Sequence, residues 1–180
     1  MAAAAGGAVF VLGGVNAAGV TISDVVRITP ATGAVTRVGA LAEPTHGAAA
    51  VTAGGRILVF GGAATTVHTA VQSFDPATGV TTVTGLLPGP RADLAAAAAG
   101  GRQVLLGGST PHGPTAEILR FDPARQAITL AGRLPAPSTD GAVAAVGDNG
   151  YLVGGLSATG PLDQIVVITL RLISPARSAG

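Results

Sequence analysis

The sequence predicts an all-β fold assembled from four copies of one repeat, and three observations carry that prediction. Double glycines recur at Gly13-Gly14, Gly61-Gly62, Gly107-Gly108 and Gly154-Gly155, at intervals of 48, 46 and 47 residues. Each pair follows a short apolar run (AVFVL, RILVF, RQVLL, GYLV), and each run follows a small-residue run across a tight turn, GG three times and GDNG once. Two runs about a tight glycine turn are a β-hairpin signature. Self-similarity with a period in the forties points to propellers or solenoids.

The second repeat shows the elements in order. GAAAVTA is a first strand, RILVFGG a second, AVQSF a third and VTTVTG a fourth. Third and fourth strands are joined by DPATG, Asp75 to Gly79, where proline suits the second position of a type I turn, Asp75 can bond the backbone ahead and Gly79 can take positive φ. The turn recurs as TPATG at Thr29 to Gly33 and less cleanly as DPARQ at Asp122 to Gln126. The runs after it (AVTRVG, VTTVTG, AITLAG) alternate as a strand with one solvated face does. Pro44, Pro90 and Pro137 then lead into the next repeat.

First strands are almost wholly alanine and glycine, a composition that propensity alone assigns to helix. They are too short for a stable isolated helix, and each directly precedes a turn and an apolar strand. In a radial array of four-stranded sheets the innermost strands converge on the axis, where only small side chains fit. The fold class expected is therefore a β-propeller or partial propeller of four blades, each of about four antiparallel strands, with blades at approximately 1–44, 45–90, 91–137 and 138–180. That makes sixteen strands or one fewer, since the last repeat lacks a clear turn and fourth strand.

Composition narrows the function. A chain of 180 residues buries roughly 70% of its unfolded surface, enough for a core without crosslinks. There is no cysteine, so disulfides, thiol catalysis and thiolate metal sites are excluded. Ten basic residues, all arginine, and nine acidic ones are scattered without a run of like charge, so nucleic acid and anionic membranes are not expected partners. Met1 to Ser23 carries no charged side chain, but a signal peptide needs a basic leading region. The segment instead aligns as a repeat, AAAAGGAVFVLGG against AVTAGGRILVFGG. No membrane insertion is expected, and the compartment stays open.

These residues resemble the kelch repeats. The glycine pair closing the second strand is complete in all four copies, and the aromatic-Asp turn stands twice, as Phe74-Asp75-Pro76 and Phe121-Asp122-Pro123. The linking arginine stands once, as Arg91, with Thr45 and Ser138 in its place elsewhere, and tryptophan is absent. Alanine-rich composition and exclusive use of arginine match a GC-rich bacterial coding bias. The resemblance implies a propeller that serves as scaffold, binding module or enzyme, since function lies in the site. The central domain of galactose oxidase is such a propeller, and kelch enzymes that oxidise sugars use a copper site with cysteine and tyrosine, which this chain does not assemble. Kelch-like propellers usually have six or seven blades. Three readings stay open: part of a longer propeller, an arc completed by another copy or chain through its open blade edges, and a compact four-blade ring.

Strand parity sorts the loops. Those joining first to second and third to fourth strands are tight turns at one end, while the longer ones (VNAAGVTIS, AATTVHT, STPHGPTA, LSATGPL) share the other end with the links between blades. A binding surface is expected on this long-loop face. Its candidates are His46, His68, Arg91, Asp93, His112 and Asp140, with Glu43 nearby. Loop histidines without a close-spaced ligand pair do not specify a metal, so no metal or cofactor is assigned. Arg56 with Asp75, and Arg102 with Asp122, are expected as structural cross-strand pairs near the opposite face. Tyr151, in a second strand, is expected in the core.

Motifs of hydrolases, metalloproteases and phosphate-binding loops are missing. The reading is a non-catalytic binding module with an unidentified protein, small-molecule or carbohydrate partner. The alternative is a carbohydrate-active enzyme or subunit using the same face.

Overall fold

The computed structural model describes residues 1–99 and 102–169, and among them no helix forms. Four antiparallel sheets are arranged as a four-blade β-propeller. Blade one comprises β1 (Ala2–Ala5), β2 (Ala8–Val15), β3 (Thr21–Thr29) and β4 (Ala34–Ala40). Blade two comprises β5 (Ala49–Ala53), β6 (Arg56–Phe60), β7 (Ala70–Phe74) and β8 (Thr81–Leu86). In blade three, β9 (Ala95–Ala99) and β10 (Arg102–Leu106) precede a small ribbon of β11 (Ser109–Thr110) and β12 (Gly113–Pro114), then β13 (Glu117–Asp122) and β14 (Ala127–Arg133). Blade four has β15 (Ala142–Val146), β16 (Asn149–Val153), the ribbon β17 (Leu156–Ser157) with β18 (Gly160–Pro161), and β19 (Ile165–Thr169). The expected fourth strand of this blade falls outside the described residues. The two ribbons were not foreseen; they arise where long loops fold back on themselves.

The alanine strands are innermost, as the crowding argument requires. β1, β5, β9 and β15 contribute Ala3, Ala50, Ala97 and Val143 to the wall of one central cavity of about 550 Å³. Ala97 is 6% exposed. Outward from this axis, each blade packs its forward face on the rear face of the next. Phe10 and Leu12 meet Ile57, Val59 and Phe74; Leu58, Phe60 and Val71 meet Leu105, Leu119 and Phe121; Leu106 and Ile118 meet Leu152 and Ile168. Phe10 and Phe74 lie 5.9 Å apart at 57°, and Phe60 and Phe121 5.4 Å apart at 73°, tilted and edge-on arrangements that aromatic quadrupoles favour.

The turns are built as the sequence suggests. Asp75 Oδ1 accepts from the N–H groups of Ala77 at 2.9 Å and Thr78 at 3.4 Å, and Gly79 closes the turn at φ +73°. These backbone bonds, then Arg56, hold the Asp75 carboxyl below its ordinary value. In the degenerate copy Gln126 stands at the glycine position and still adopts φ +51°, a region costly for a long side chain.

In the first two links, one residue joins both neighbouring blades. Thr45 accepts the Gly14 N–H at 2.8 Å through its carbonyl and donates its hydroxyl to Gly61 O at 3.2 Å. Arg91 repeats this one blade on, accepting from Gly62 N at 2.8 Å and donating from Nη1 to Gly107 O at 3.2 Å. Ser138 O accepts from Gly108 N at 2.7 Å. All three residues are buried. Links reach this close because the signature residues lack a Cβ: one on Gly13, Gly61 or Gly107 would strike the carbonyl of Thr45, Arg91 or Ser138.

Two comparisons test this packing. Ala97→Phe overfills the axis and is expected to cost about 1–3 kcal/mol, whereas Ala77→Phe, in an exposed turn, is expected to change little; equal denaturant midpoints would place the alanine strands elsewhere. Gly62 and Gly14 both have positive φ, at +89° and +111°, yet a Cβ on Gly62 meets the Thr45 hydroxyl and Ala48 while one on Gly14 meets nothing. Gly62→Ala is therefore expected to lower the midpoint clearly more than Gly14→Ala, which carries only backbone strain of about 1–3 kcal/mol.

Candidate functional site

The links carry the side chains that converge on the long-loop end. Immediately after each stapling residue comes a bridge residue, His46, Ala92 or Thr139, paired with Ala63, Ser109 or Leu156 of its own blade. The next residue, Gly47, Asp93 or Asp140, takes left-handed φ of +59°, +53° or +55°. Aspartate tolerates this conformation better than most residues. Backbone bonds run from link to link, Asp93 N–H to Gly47 O at 2.6 Å and Asp140 N–H to Asp93 O at 2.9 Å. The ladder sets Asp93 beside Asp140 and brings His46 within electrostatic reach of Asp93.

Asp93 feels all of these groups. Burial raises its pKa above the ordinary value, the Asp140 carboxylate raises it further, and His46 opposes both. His46 is itself oriented by Thr21, with Nδ1 and the hydroxyl oxygen 3.0 Å apart.

Beside this cluster, between blades one and two, lies a cleft of about 620 Å³ bordered by Thr21, Glu43, Pro44, Thr65 and His68. His68 is fixed through its backbone, donating to Gly62 O at 2.7 Å and accepting from Arg91 N at 3.0 Å. Its buried Nδ1 makes no hydrogen bond among the described residues, the Glu43 carboxylate standing 3.6 Å away. Glu43 is positioned by Gln72, fully buried in β7, which accepts from Glu43 N at 3.0 Å and donates to Glu43 O at 3.3 Å. Sequence reasoning missed Gln72; its signal was an amide in the middle of the short third strand AVQSF.

The structure thus gathers His46, Asp93 and Asp140 and sets His68 with Glu43 in the adjoining cleft. His112 stands apart, exposed on the β11–β12 ribbon, its N–H held by Thr110 Oγ1 at 3.1 Å. Arg91 is 4% exposed, its guanidinium paired with Glu117 and bonded to Gly107 O, so its charge is enclosed. No group of three histidine or carboxylate side chains among the described residues has metal-holding geometry.

The tight-turn end has a cavity of its own, about 580 Å³ between blades two and three, bordered by Arg56, Ser73, Gln103 and Gln126. Its charges are committed to one another: Arg56 donates to Ser73 Oγ at 2.8 Å and Asp75 Oδ2 at 3.2 Å, and Asp122 accepts from Arg125 at 2.8 Å. Gln103 Oε1, also buried there, has no hydrogen-bond partner among the described residues. Tyr151 is half-buried rather than in the core, because among the described residues no further blade covers the forward face of blade four, where it lies.

No protein-family model matches the sequence, and no curated protein does. Solved structures match widely, across 171 chains, so the fold by itself does not select an activity. That of YjhT superposes with a TM-score of 0.79 at 19% identity over 99% of this chain, which spans 65% of the YjhT chain. The likeness is one of fold.

Asp93→Asn keeps a residue that accepts left-handed φ and removes the buried charge. With its pKa raised in the folded state, Asp93 binds more protons folded than unfolded between the ordinary value of 3.8 and the raised one. Wild-type stability from this source therefore falls as pH rises through that window. The variant is expected to melt higher than wild type at neutral pH, with the advantage fading as pH approaches the ordinary carboxylate value; parallel melting curves across pH would refute the assignment.

Proposed function

We propose that this chain is a non-catalytic binding module that takes its partner on the long-loop end. The observation that carries this reading is the meeting of His46, Asp93 and Asp140 beside a cleft bordered by the His68 imidazole and the Glu43 carboxylate, whose facing atoms lie 3.6 Å apart. Imidazoles and carboxylates on a fixed backbone suit a partner that presents hydrogen-bond donors, such as a hydroxyl-rich small molecule or a polar protein loop. The opposite end supports the reading by contrast, since its arginines and aspartates already satisfy each other. Arg91 contributes by holding the links in place, and His112 extends the same face at its rim.

The location can be tested before a tight ligand is known. Neutral mono- and disaccharides titrated into isotope-labelled protein are expected to shift the amide resonances of His46, His68, Asp93 and Asp140. For a partner so found, His68→Ala and Asp93→Ala are each expected to weaken binding by about tenfold, as loss of a hydrogen bond to a charged group does, while Arg56→Ala and Asp75→Ala alter stability alone. Shifts confined to Arg56, Asp75 and Gln103 would move the site to the tight-turn end.

A further inference from the structure

The cavity of about 580 Å³ at the tight-turn end of the seam between blades two and three has a counterpart of about 350 Å³ between blades one and two. Equivalent positions of the repeat border both, so the difference lies in the side chains. On the forward side, the cross-strand pair Leu58 and Ser73 stands where blade one has Phe10 and Arg27. On the rear side, Gln103 pairs with Phe121 as Ile57 pairs with Phe74. In the narrower seam Phe10, Ile57 and Phe74 form one buried cluster, and Ile57 does not reach the cavity. In the wider one, Leu58 and Ser73 are too small to fill the same space, and Gln103 borders it. Arg56 stands where blade one has Ala8, but its guanidinium is held on Ser73 Oγ and Asp75 Oδ2.

The blades also stand further apart at the turn. A Cβ on Gly39 would strike Gly79 O, whereas one on Gly85, the equivalent residue, would stand 3.2 Å from Gln126 O. Gln126 lies at the rim of the cavity in the left-handed conformation that its counterparts Gly33 and Gly79 adopt. Strained backbone of that kind collects at ligand-binding positions. Deeper in, Gln103 is 4% exposed, and its Oε1 has no hydrogen-bond partner among the described residues. Burying an unpaired polar atom is costly, and fully buried Ile57 shows that the repeat does not require one at this position. A terminal amide rotates about its last bond over a broad two-fold minimum, so its oxygen or its nitrogen can be turned to the cavity. Ser73, 2% exposed, accepts from Arg56 Nε at 2.8 Å and keeps its hydroxyl hydrogen to donate. Arg56 and Asp75 offset each other's charge. What the cavity offers is therefore uncharged: an amide that gives and takes hydrogen bonds, a hydroxyl donor, and apolar walls at Leu58 and Phe121.

We propose that this cavity is a second site, separate from the long-loop face, and that it takes a small, flat, uncharged molecule with a cis-amide edge, a carboxamide or a lactam. The N–H of that edge donates to Gln103 Oε1, its carbonyl accepts from Gln103 Nε2, and the flat body lies between Leu58 and Phe121. Ser73 serves a further acceptor on the same molecule. The volume is in the range of small-ligand sites, about 300–1,000 Å³. A charged ligand is disfavoured, because the charges beside the cavity are already paired with each other.

Nicotinamide and uracil, titrated at millimolar concentration into isotope-labelled protein, test this. At least one is expected to shift the amide resonances of Leu58, Ser73 and Gln103 and to leave those of His46, His68, Asp93 and Asp140 in place. Nicotinate, which matches nicotinamide in shape but carries a carboxylate with no N–H to donate, is expected to bind at least about tenfold more weakly than nicotinamide. Two substitutions restore the side chains of the narrower seam: Gln103→Ile removes the amide, and Leu58→Phe fills the space. Each is expected to abolish the shifts while the melting temperature holds or rises. A folded Gln103→Ile protein that binds the probes as tightly as the wild type would overturn the proposal. So would the absence of shifts with both probes, an equal response to nicotinate, or shifts confined to the long-loop end.

Discussion

Coupling between successive blades passes through one buried position per link, occupied by Thr45, Arg91 and Ser138. Its carbonyl binds the glycine of the blade behind. In the first two copies its side chain also binds the glycine carbonyl of the blade ahead. A hydroxyl and a guanidinium perform the same task because what they must satisfy is a single buried acceptor, whose loss would leave an orphaned carbonyl worth about 1–3 kcal/mol. Arg91 is larger and brings a charge, and Glu117 in β13 compensates it. The glycine pair and the link residue are thus one device: the absence of a side chain on one strand admits the backbone of the next link, and the link's polar groups then close the seam.

The candidate site is a by-product of this device. Only one residue separates the staple from the left-handed position, so whatever stands at Gly47, Asp93 and Asp140 is delivered to the same end of the propeller with its backbone already bonded to its neighbours. Asp140 is exposed there, and Asp93 is half-buried against Gly47. Two carboxylates can consequently be held together at the cost of a raised pKa on one of them, with His46 partly offsetting their repulsion. Rigidity comes from the links and chemistry from the residues that follow them.

The fold was legible because its determinants are local and repeated. The glycine pairs, the DPATG turns and the alanine strands each have one physical reason, stated several times over in the sequence. Loop parity also carried over: His46, Asp93 and Asp140 share an end because antiparallel strands leave no alternative. What the sequence concealed was burial. Arg91 reads as a surface charge until Glu117, 26 residues away, is seen to enclose it, and Gln72 reads as a strand residue until Glu43 of the preceding link is seen resting on its amide. Tyr151 reads as core because its alternation places it on an apolar face, and alternation cannot say whether another blade covers that face. The Gln72 and Tyr151 misses concern contacts between repeats, whose geometry depends on the angle between blades, and the Arg91 miss concerns a contact between a link and the third strand of the blade it enters.

Because each staple touches only its two neighbours, the free energy of the array is a sum of blades and seams rather than a property of the whole. Such a series opens seam by seam, and the seams closed by paired phenylalanines, Phe10 with Phe74 and Phe60 with Phe121, are expected to resist opening most. The same arithmetic gives the repeat an evolutionary freedom that a single-core domain lacks: duplication of one segment of 46 to 48 residues adds a complete blade with its own link and its own seam, and no existing contact has to be redesigned to admit it.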